Sequence, residues 1–290
     1  MTAETLQTVV VACLAGLSVA VLAVLRVHRP RRLATAPDRR FPWGVGVLLA
    51  GLAVFGMMSF AFGGMAISLG LVPPGDADPP PGRVLTITLL GQALIYVPLA
   101  VLLVGLAWRE PNGLRRVGLV DRRWVRHALL GLGGLLLVLP IIFFTSLIAT
   151  AITAALGEAP SEIAHELLET MFAAPPTVRL GFVVSAVVLA PVLEELLFRG
   201  LLQTTLLNLA RPMPAAPRRW LAIGVTTVVF VLAHGGVASP HALPALTVLS
   251  ITLGYQYERT RSLITPIACH AGFNAVNIGL AALIVSSPPG

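Results

Sequence analysis

The sequence predicts an all-α protein built as a polytopic bundle of about eight transmembrane helices. Of its 290 residues, 56% are hydrophobic and only 11% are charged. A soluble domain carries about 25% charged residues, so this chain has too few to cover a water-facing surface. Its apolar residues fall in long runs, and a run of about 20 residues crosses a bilayer as a helix.

Eight apolar runs define the predicted spans. They occupy residues 5–26, 43–71, 84–108, 127–154, 180–207, 220–235, 243–257 and 263–286. The seventh run is short for a full crossing, so we expect it to be tilted or partly enclosed by protein. We divide the single membrane domain into an N-terminal four-span region, residues 1–179, and a four-span core, residues 180–286.

The arginines indicate how the spans are oriented. The net charge is +7 and all 20 basic residues are arginine, a usage typical of a G+C-rich genome. Seventeen arginines lie in the segments that follow the first, third, fifth and seventh spans. The tryptophans Trp43, Trp108, Trp124 and Trp220 lie where these segments meet a span. The positive-inside rule places these loops in the cytoplasm and both termini outside. We predict a multi-pass protein of a bacterial plasma membrane, with no nucleic-acid partner because the arginines lie in short interhelical loops.

Two outer segments differ from the apolar spans. Residues 72–83 are rich in proline and should be extended. Residues 160–173 are predicted to form a short amphipathic helix that lies on the outer leaflet or caps the bundle. Pro160 and Ser161 can start that helix, and its apolar face carries Ile163, Leu167, Leu168 and Met171. Two cysteines, Cys13 and Cys269, are too few for a disulfide framework.

Polar side chains within the later spans are the strongest functional signal, because each is costly in a bilayer and needs a partner. They form three motifs, with Glu194, Glu195 and Arg199 on the fifth span, Phe230 and His234 on the sixth, and His270 and Asn274 on the eighth. Glu195 and Arg199 are four residues apart, so they can pair on one helix face. Glu194 is turned by about 100° from Glu195 and can face elsewhere. We expect the three polar faces to meet.

The three motifs resemble those of a known protease family. E-E-x-x-x-R, F-x-x-x-H and H-x-x-x-N, in this order on separate membrane helices, are similar to the motifs of the CPBP family. That family contains the type II CAAX prenyl proteases and the bacteriocin-processing and self-immunity proteins. The resemblance covers about residues 180–280, and no catalytic position departs from the pattern.

The resemblance implies an intramembrane endopeptidase and a role for each motif residue. Glu194 and His234 would activate a water, and His270 and Asn274 would stabilise the oxyanion of the tetrahedral intermediate. Glu195 and Arg199 complete the first motif. The implied partner is a membrane-associated, prenylated or otherwise lipid-linked protein or peptide, cut near the cytoplasmic side of the bilayer.

Other interpretations of the same residues remain open. Glu194, His234 and His270 form a two-histidine, one-carboxylate set that suits catalytic Zn²⁺, and the family is often called metalloprotease. The chain has no H-E-x-x-H motif, so we favour a metal-free reaction. A structural ion pair with Arg199 is favoured for Glu195, and a structural hydrogen bond for Asn277. A non-catalytic immunity or assembly factor, or a proton-coupled transporter, would also keep buried polar groups.

Overall fold

Long helices make up nearly all of the computed structural model, which describes residues 3–27, 30–36, 43–70, 80–157, 166–235 and 238–286. The eight long helices are α1 (Ala3–Val24), α2 (Val45–Ser68), α3 (Pro81–Arg109), α4 (Trp124–Ala155), α5 (Pro176–Leu209), α6 (Ala215–His234), α7 (Leu243–Thr260) and α8 (Ile264–Ser286). Shorter helices occupy Pro30–Ala34, Gly113–Val117 and Glu166–Ala173, with a 3₁₀ turn at Pro240–Ala242. Within these ranges the protein contains no β-strand, so the all-α prediction is confirmed.

Each long helix coincides with one predicted apolar run, although the eight do not qualify equally as membrane spans. Helices α2 to α6 and α8 are long and apolar enough to cross a bilayer. The apolar part of α1 is shorter, and the 18 residues of α7 are less apolar. Helix α7 packs against α4, α6 and α8, and its Leu249 and Leu253 are fully buried. It therefore resembles a helix enclosed by protein, which is one of the two alternatives that its length suggested.

Large apolar side chains cover the outside of the bundle. Phe60, Leu136 and Val24 are 86%, 71% and 79% exposed, and many other leucines and valines on the long helices are more than one-third exposed. A water-soluble monomer rarely exposes apolar surface on this scale. The exposed surface therefore suits hydrocarbon, in agreement with the apolar spans.

Helix α5 is a single long helix in which α-helical and π-helical turns alternate. The π-helical segments are Ser185–Leu189 and Leu196–Gln203, and the α-helical turn between them, Ala190–Glu195, carries the paired glutamates. Pro191 lies just after the first π-helical segment. A proline has no backbone N–H and disrupts the regular hydrogen-bond ladder, so the irregular turn next to it has a local cause.

The cytoplasmic-side loops predicted by the arginine pattern are held by a buried polar network. Arg219 pairs with Glu258 at 3.3 Å, and the Gln203 amide donates to the same carboxylate at 2.9 Å. Arg219 also donates to the Leu33 carbonyl, which ties the short helix Pro30–Ala34 to α6. The sequence places Arg219 in a loop, and that prediction was wrong. The structure buries it near the start of α6, where Glu258 balances its charge.

The outer segments agree only partly with their predictions. Helix α3 begins at Pro81, so residues 81–83 are helical and not extended, and Arg83 donates to the Gly70 carbonyl. Residues 71–79 lie outside the described residues, as do Pro160, Ser161 and Ile163. The described helix Glu166–Ala173 lies against α3 and α8, and buried Met171 packs with Leu85 and Phe182. This segment therefore caps the bundle.

We expect reporter fusions to place both termini outside, because 17 arginines follow alternate predicted spans in the sequence. A reporter that is active only in the cytoplasm should be silent after residue 290 and active in the loop 109–126. A periplasmic reporter at the same two positions is the matched control and should show the opposite pattern. An active terminal fusion beside a silent loop fusion would mean that the orientation is inverted.

Candidate active site

Helices α5, α6 and α8 bring one glutamate and two histidines together between them. The Glu194 Oε2 atom lies 3.8 Å from His234 Nε2 and 3.9 Å from His270 Nε2. The Glu194, His234 and His270 side chains are 13%, 19% and 5% exposed. Residues that are 36 to 76 positions apart in the sequence therefore share one small, largely buried space, as their polar helix faces predicted.

The distances around Glu194 leave room for a small molecule between the three side chains. A separation of 3.8 or 3.9 Å is too long for a direct hydrogen bond. It is a separation that one bridging water can span. Glu194 Oε2 is itself buried and has no hydrogen-bond partner. A buried oxygen of this kind normally accepts a hydrogen bond, which here a ligand or a water can donate.

Glu195 is fully buried and holds two side chains at once. Its Oε1 accepts a hydrogen bond from Arg199 at 2.8 Å and one from His270 Nδ1 at 2.9 Å. Arg199 also donates to the hydroxyl and the carbonyl of Ser250, at 2.8 and 3.2 Å. The Glu195–Arg199 pair predicted from the four-residue spacing is present. Its extension to His270 was not predicted, and it makes Glu195 part of the site's support.

The hydrogen bonds also define which histidine nitrogens face Glu194. A carboxylate can only accept, so His270 Nδ1 carries the proton in its bond to Glu195. The His234 Nδ1 atom lies 2.8 Å from the Phe230 carbonyl, which likewise only accepts. In a neutral ring the other nitrogen, Nε2, then carries no proton. Both Nε2 atoms are therefore acceptors, and both face Glu194. To donate to an oxyanion, His270 Nε2 must carry a second proton, and Glu195 then balances the positive ring.

Phe230 is the packing element of this site and is fully buried. Its ring lies 4.3 Å from the His234 ring and 5.9 Å from the His270 ring, between ring centroids. The Arg199 guanidinium carbon lies 4.9 Å from the centroid of the same ring. The phenylalanine of F-x-x-x-H thus packs against both histidine rings and against the Arg199 guanidinium.

The two asparagines of α8 are engaged in structural hydrogen bonds. The Asn274 Nδ2 donates to the Ala186 carbonyl of α5 at 2.7 Å. The Asn277 Nδ2 donates to the Phe273 carbonyl of its own helix at 3.1 Å, in line with the structural role expected for it. Asn274 lies one turn after His270, but its amide binds the first π-helical segment of α5 in this structure.

A comparison with protein-family models finds a match in the second half of the chain. Residues 176–276, about a third of the chain, match the model described as type II CAAX prenyl endopeptidase Rce1-like. The match spans α5, α6, α7 and half of α8, and it confirms the resemblance seen in the three motifs. No curated protein and no solved structure matched the chain.

The Zn²⁺ alternative concerns Glu194, His234 and His270. Among the described residues, no group of three or more His, Cys, Asp or Glu side chains is arranged to hold a metal ion. The term metalloprotease therefore has no support from the described side chains.

Two polar residues of α3, Gln92 and Tyr96, lie outside the three motifs and were not predicted to take part in the site. Gln92 accepts a hydrogen bond from Ser185 on α5 at 2.6 Å. Tyr96 lies one helical turn further along α3. Their spacing of four residues in an otherwise apolar helix was the available signal, because it places both on one face.

Proposed function

We propose that the protein is an intramembrane endopeptidase in which Glu194 and His234 activate the attacking water. One observation carries the proposal: a buried, unpartnered carboxylate oxygen lies 3.8 and 3.9 Å from two histidine Nε2 atoms on other helices. A water placed between them can donate one hydrogen to Glu194 and the other to His234. The Rce1-like match supports the reaction class.

The proposed reaction begins when the water oxygen attacks the peptide carbonyl carbon. Glu194 takes the water proton as the C–O bond forms, and general bases of this kind contribute about 10²–10⁴-fold to rate. The resulting oxyanion accepts a hydrogen bond from protonated His270, whose ring is held by Glu195. The proton on Glu194 then passes to the leaving amine as the C–N bond breaks. Atoms and charge balance without a further reactant.

Asn274 is assigned to the oxyanion less directly than His270. Its amide is occupied by the Ala186 carbonyl, so it can donate to an oxyanion only after that hydrogen bond opens. His270 needs no such rearrangement, because its Nε2 already faces the space beside Glu194. We therefore propose that His270 supplies the first oxyanion contact and that Asn274 joins it when substrate is bound.

The proposed substrates are membrane-associated or lipid-linked proteins and peptides, including prenylated ones. The site lies between helices whose outer surfaces are apolar, so a peptide carried by a lipid anchor reaches it more readily than one in solution. The description of the matched family names prenyl endopeptidases, which supports the same substrate class.

We expect the purified protein to cleave lipidated peptides in the presence of a chelator, because the proposed reaction activates the water with Glu194 and His234 and uses no metal. The assay compares a library of lipidated peptides with unlipidated copies, with and without chelator, in water enriched in ¹⁸O. The N-terminal fragment should contain one ¹⁸O in its new carboxylate and the C-terminal fragment none, and metal analysis should find much less than one equivalent.

Two results would contradict this proposal in different ways. Cleavage that stops with chelator and returns with one equivalent of Zn²⁺ would support the metal alternative and remove Glu194 as the primary base. A folded protein that hydrolyses no peptide in the library, lipidated or not, would favour a non-catalytic membrane factor.

A further inference from the structure

The first π-helical segment of α5 is held from both sides by side chains of other helices. On one side the Ser185 hydroxyl donates to Gln92 of α3 at 2.6 Å. On the other side the Asn274 amide of α8 donates to the Ala186 carbonyl at 2.7 Å. Ser185 is buried, so the bond to Gln92 is shielded from water. Both contacts fall on adjacent residues, nine and eight positions before Glu194.

The hydrogen-bond pattern of this segment explains why Ala186 needs an external partner. The Ala190 N–H bonds to the Ser185 carbonyl, five residues earlier. In the same pattern the Ala186 carbonyl would accept from residue 191, but Pro191 has no N–H. The carbonyl is left without a backbone donor, and Asn274 supplies one. Pro191 thus makes an irregular turn favourable, and the neighbouring helices determine where it lies.

The position of a π-helical turn determines where the following residues point. Such a turn adds one residue to a helical turn, which rotates all later side chains by about 100° relative to a continuous α-helix. Glu194 comes five residues after the end of the segment. If the segment moved past Glu194 or relaxed, the carboxylate would turn away from His234 and His270.

We infer that Gln92 is a positioning residue that, together with Ser185 and Asn274, holds the π-helical turn and thereby directs Glu194 toward the two histidines. This inference rests on the proposed function of Glu194. Gln92 belongs to the N-terminal four-span region, which lies outside the Rce1-like match, so the inference gives that region a role in the site. Tyr96 lies four residues after Gln92 and therefore on the same face of α3.

The experiment compares Gln92→Leu, Ser185→Ala and the double variant in one detergent. We expect each single change to lower kcat about 10- to 100-fold with little change in KM, because a small displacement of a catalytic group costs about this much. The kcat of the double variant should be no lower than that of either single variant, because both changes remove the same hydrogen bond. Gln92→Glu keeps an acceptor oxygen for Ser185 and should recover part of the activity.

Thr88→Val is the matched control on the same helix. The Thr88 hydroxyl bonds only to the Val84 carbonyl of α3, so its loss should leave kcat unchanged. A second measurement does not depend on activity. Ring-nitrogen NMR of His234 and His270, assigned with His→Gln variants, should show both Nε2 signals shifted in Gln92→Leu and unshifted in Thr88→Val.

The outcomes separate this inference from the proposed function. Folded Gln92→Leu and Ser185→Ala variants with wild-type kcat and unshifted histidine signals would overturn the positioning role, even in an active enzyme. If Gln92→Leu does not fold, the smaller Ser185→Ala change decides the question alone. If the unaltered protein cleaves nothing but the histidine signals still shift, the proposed function fails and the positioning of Glu194 stands.

Discussion

Replacing Glu194 with glutamine should lower turnover by about 100-fold or more, the scale expected for loss of a general base. Glutamine keeps the shape of the side chain and can still bind a water, but its amide cannot take a proton from it. The fold should be unaffected, because Glu194 Oε2 has no hydrogen-bond partner to lose. The measurement is kcat together with the thermal midpoint in the same detergent.

Two comparisons make the Glu194→Gln result specific. Glu110→Gln removes the same charge at the end of α3, away from the site, and should leave turnover unchanged. His234→Gln should reduce turnover as Glu194→Gln does, and the double variant should lose little more, because the two groups act on one water. A Glu194→Gln enzyme with near-normal turnover would remove Glu194 from the proposed mechanism.

Replacing Glu195 with glutamine should instead destabilise the protein by about 3–5 kcal/mol, the typical cost of breaking a buried ion pair by removing one partner. Arg199 is fully buried beside it and would keep an unbalanced charge. His270 would also lose the carboxylate that binds its Nδ1. We therefore expect a low folded yield, and reduced turnover in the fraction that does fold.

A second change separates these two effects of Glu195. The double variant Glu195→Gln with Arg199→Met also lacks the unbalanced Arg199 charge, so part of the lost stability should return. Turnover should stay low, because His270 still lacks its carboxylate partner. If the double variant recovers both stability and turnover, Glu195 serves only as the partner of Arg199. A stable but inactive Glu195→Gln beside an active Glu194→Gln would reverse the roles of the two glutamates.

The sequence predicts the fold well because the bilayer imposes strong and local rules. Length and apolarity alone place the eight long helices, and the four-residue spacing of Glu195 and Arg199 predicts their ion pair. The start of α3 at Pro81 was not predicted, because proline-rich composition suggests an extended segment. Proline is nevertheless well suited to the first turn of a helix, where its missing N–H has no partner to lose.

The site was predictable as a set of residues but not as an arrangement. Motif spacing places Glu194, His234 and His270 on helix faces, and the structure brings those faces together. The bond between Glu195 and His270 depends on how α8 is rotated against α5, which no local pattern encodes. Pro191 is a local signal for an irregular turn, but the side chains that we infer hold this turn, Gln92 and Asn274, lie far from it in sequence.

The buried pair of Arg219 and Glu258 has a consequence for how the chain is made. Arg219 leaves the ribosome before Glu258, with the rest of α6 and most of α7 in between. At synthesis rates of about 5–20 residues per second, the arginine precedes its carboxylate by on the order of seconds. Until Glu258 has been made, Arg219 lacks the carboxylate that balances it, and burying an unpaired charge is costly. We therefore expect the start of α6 to stay in contact with water until α7 has been synthesised, and Arg219 to become buried only when the two helices pack together.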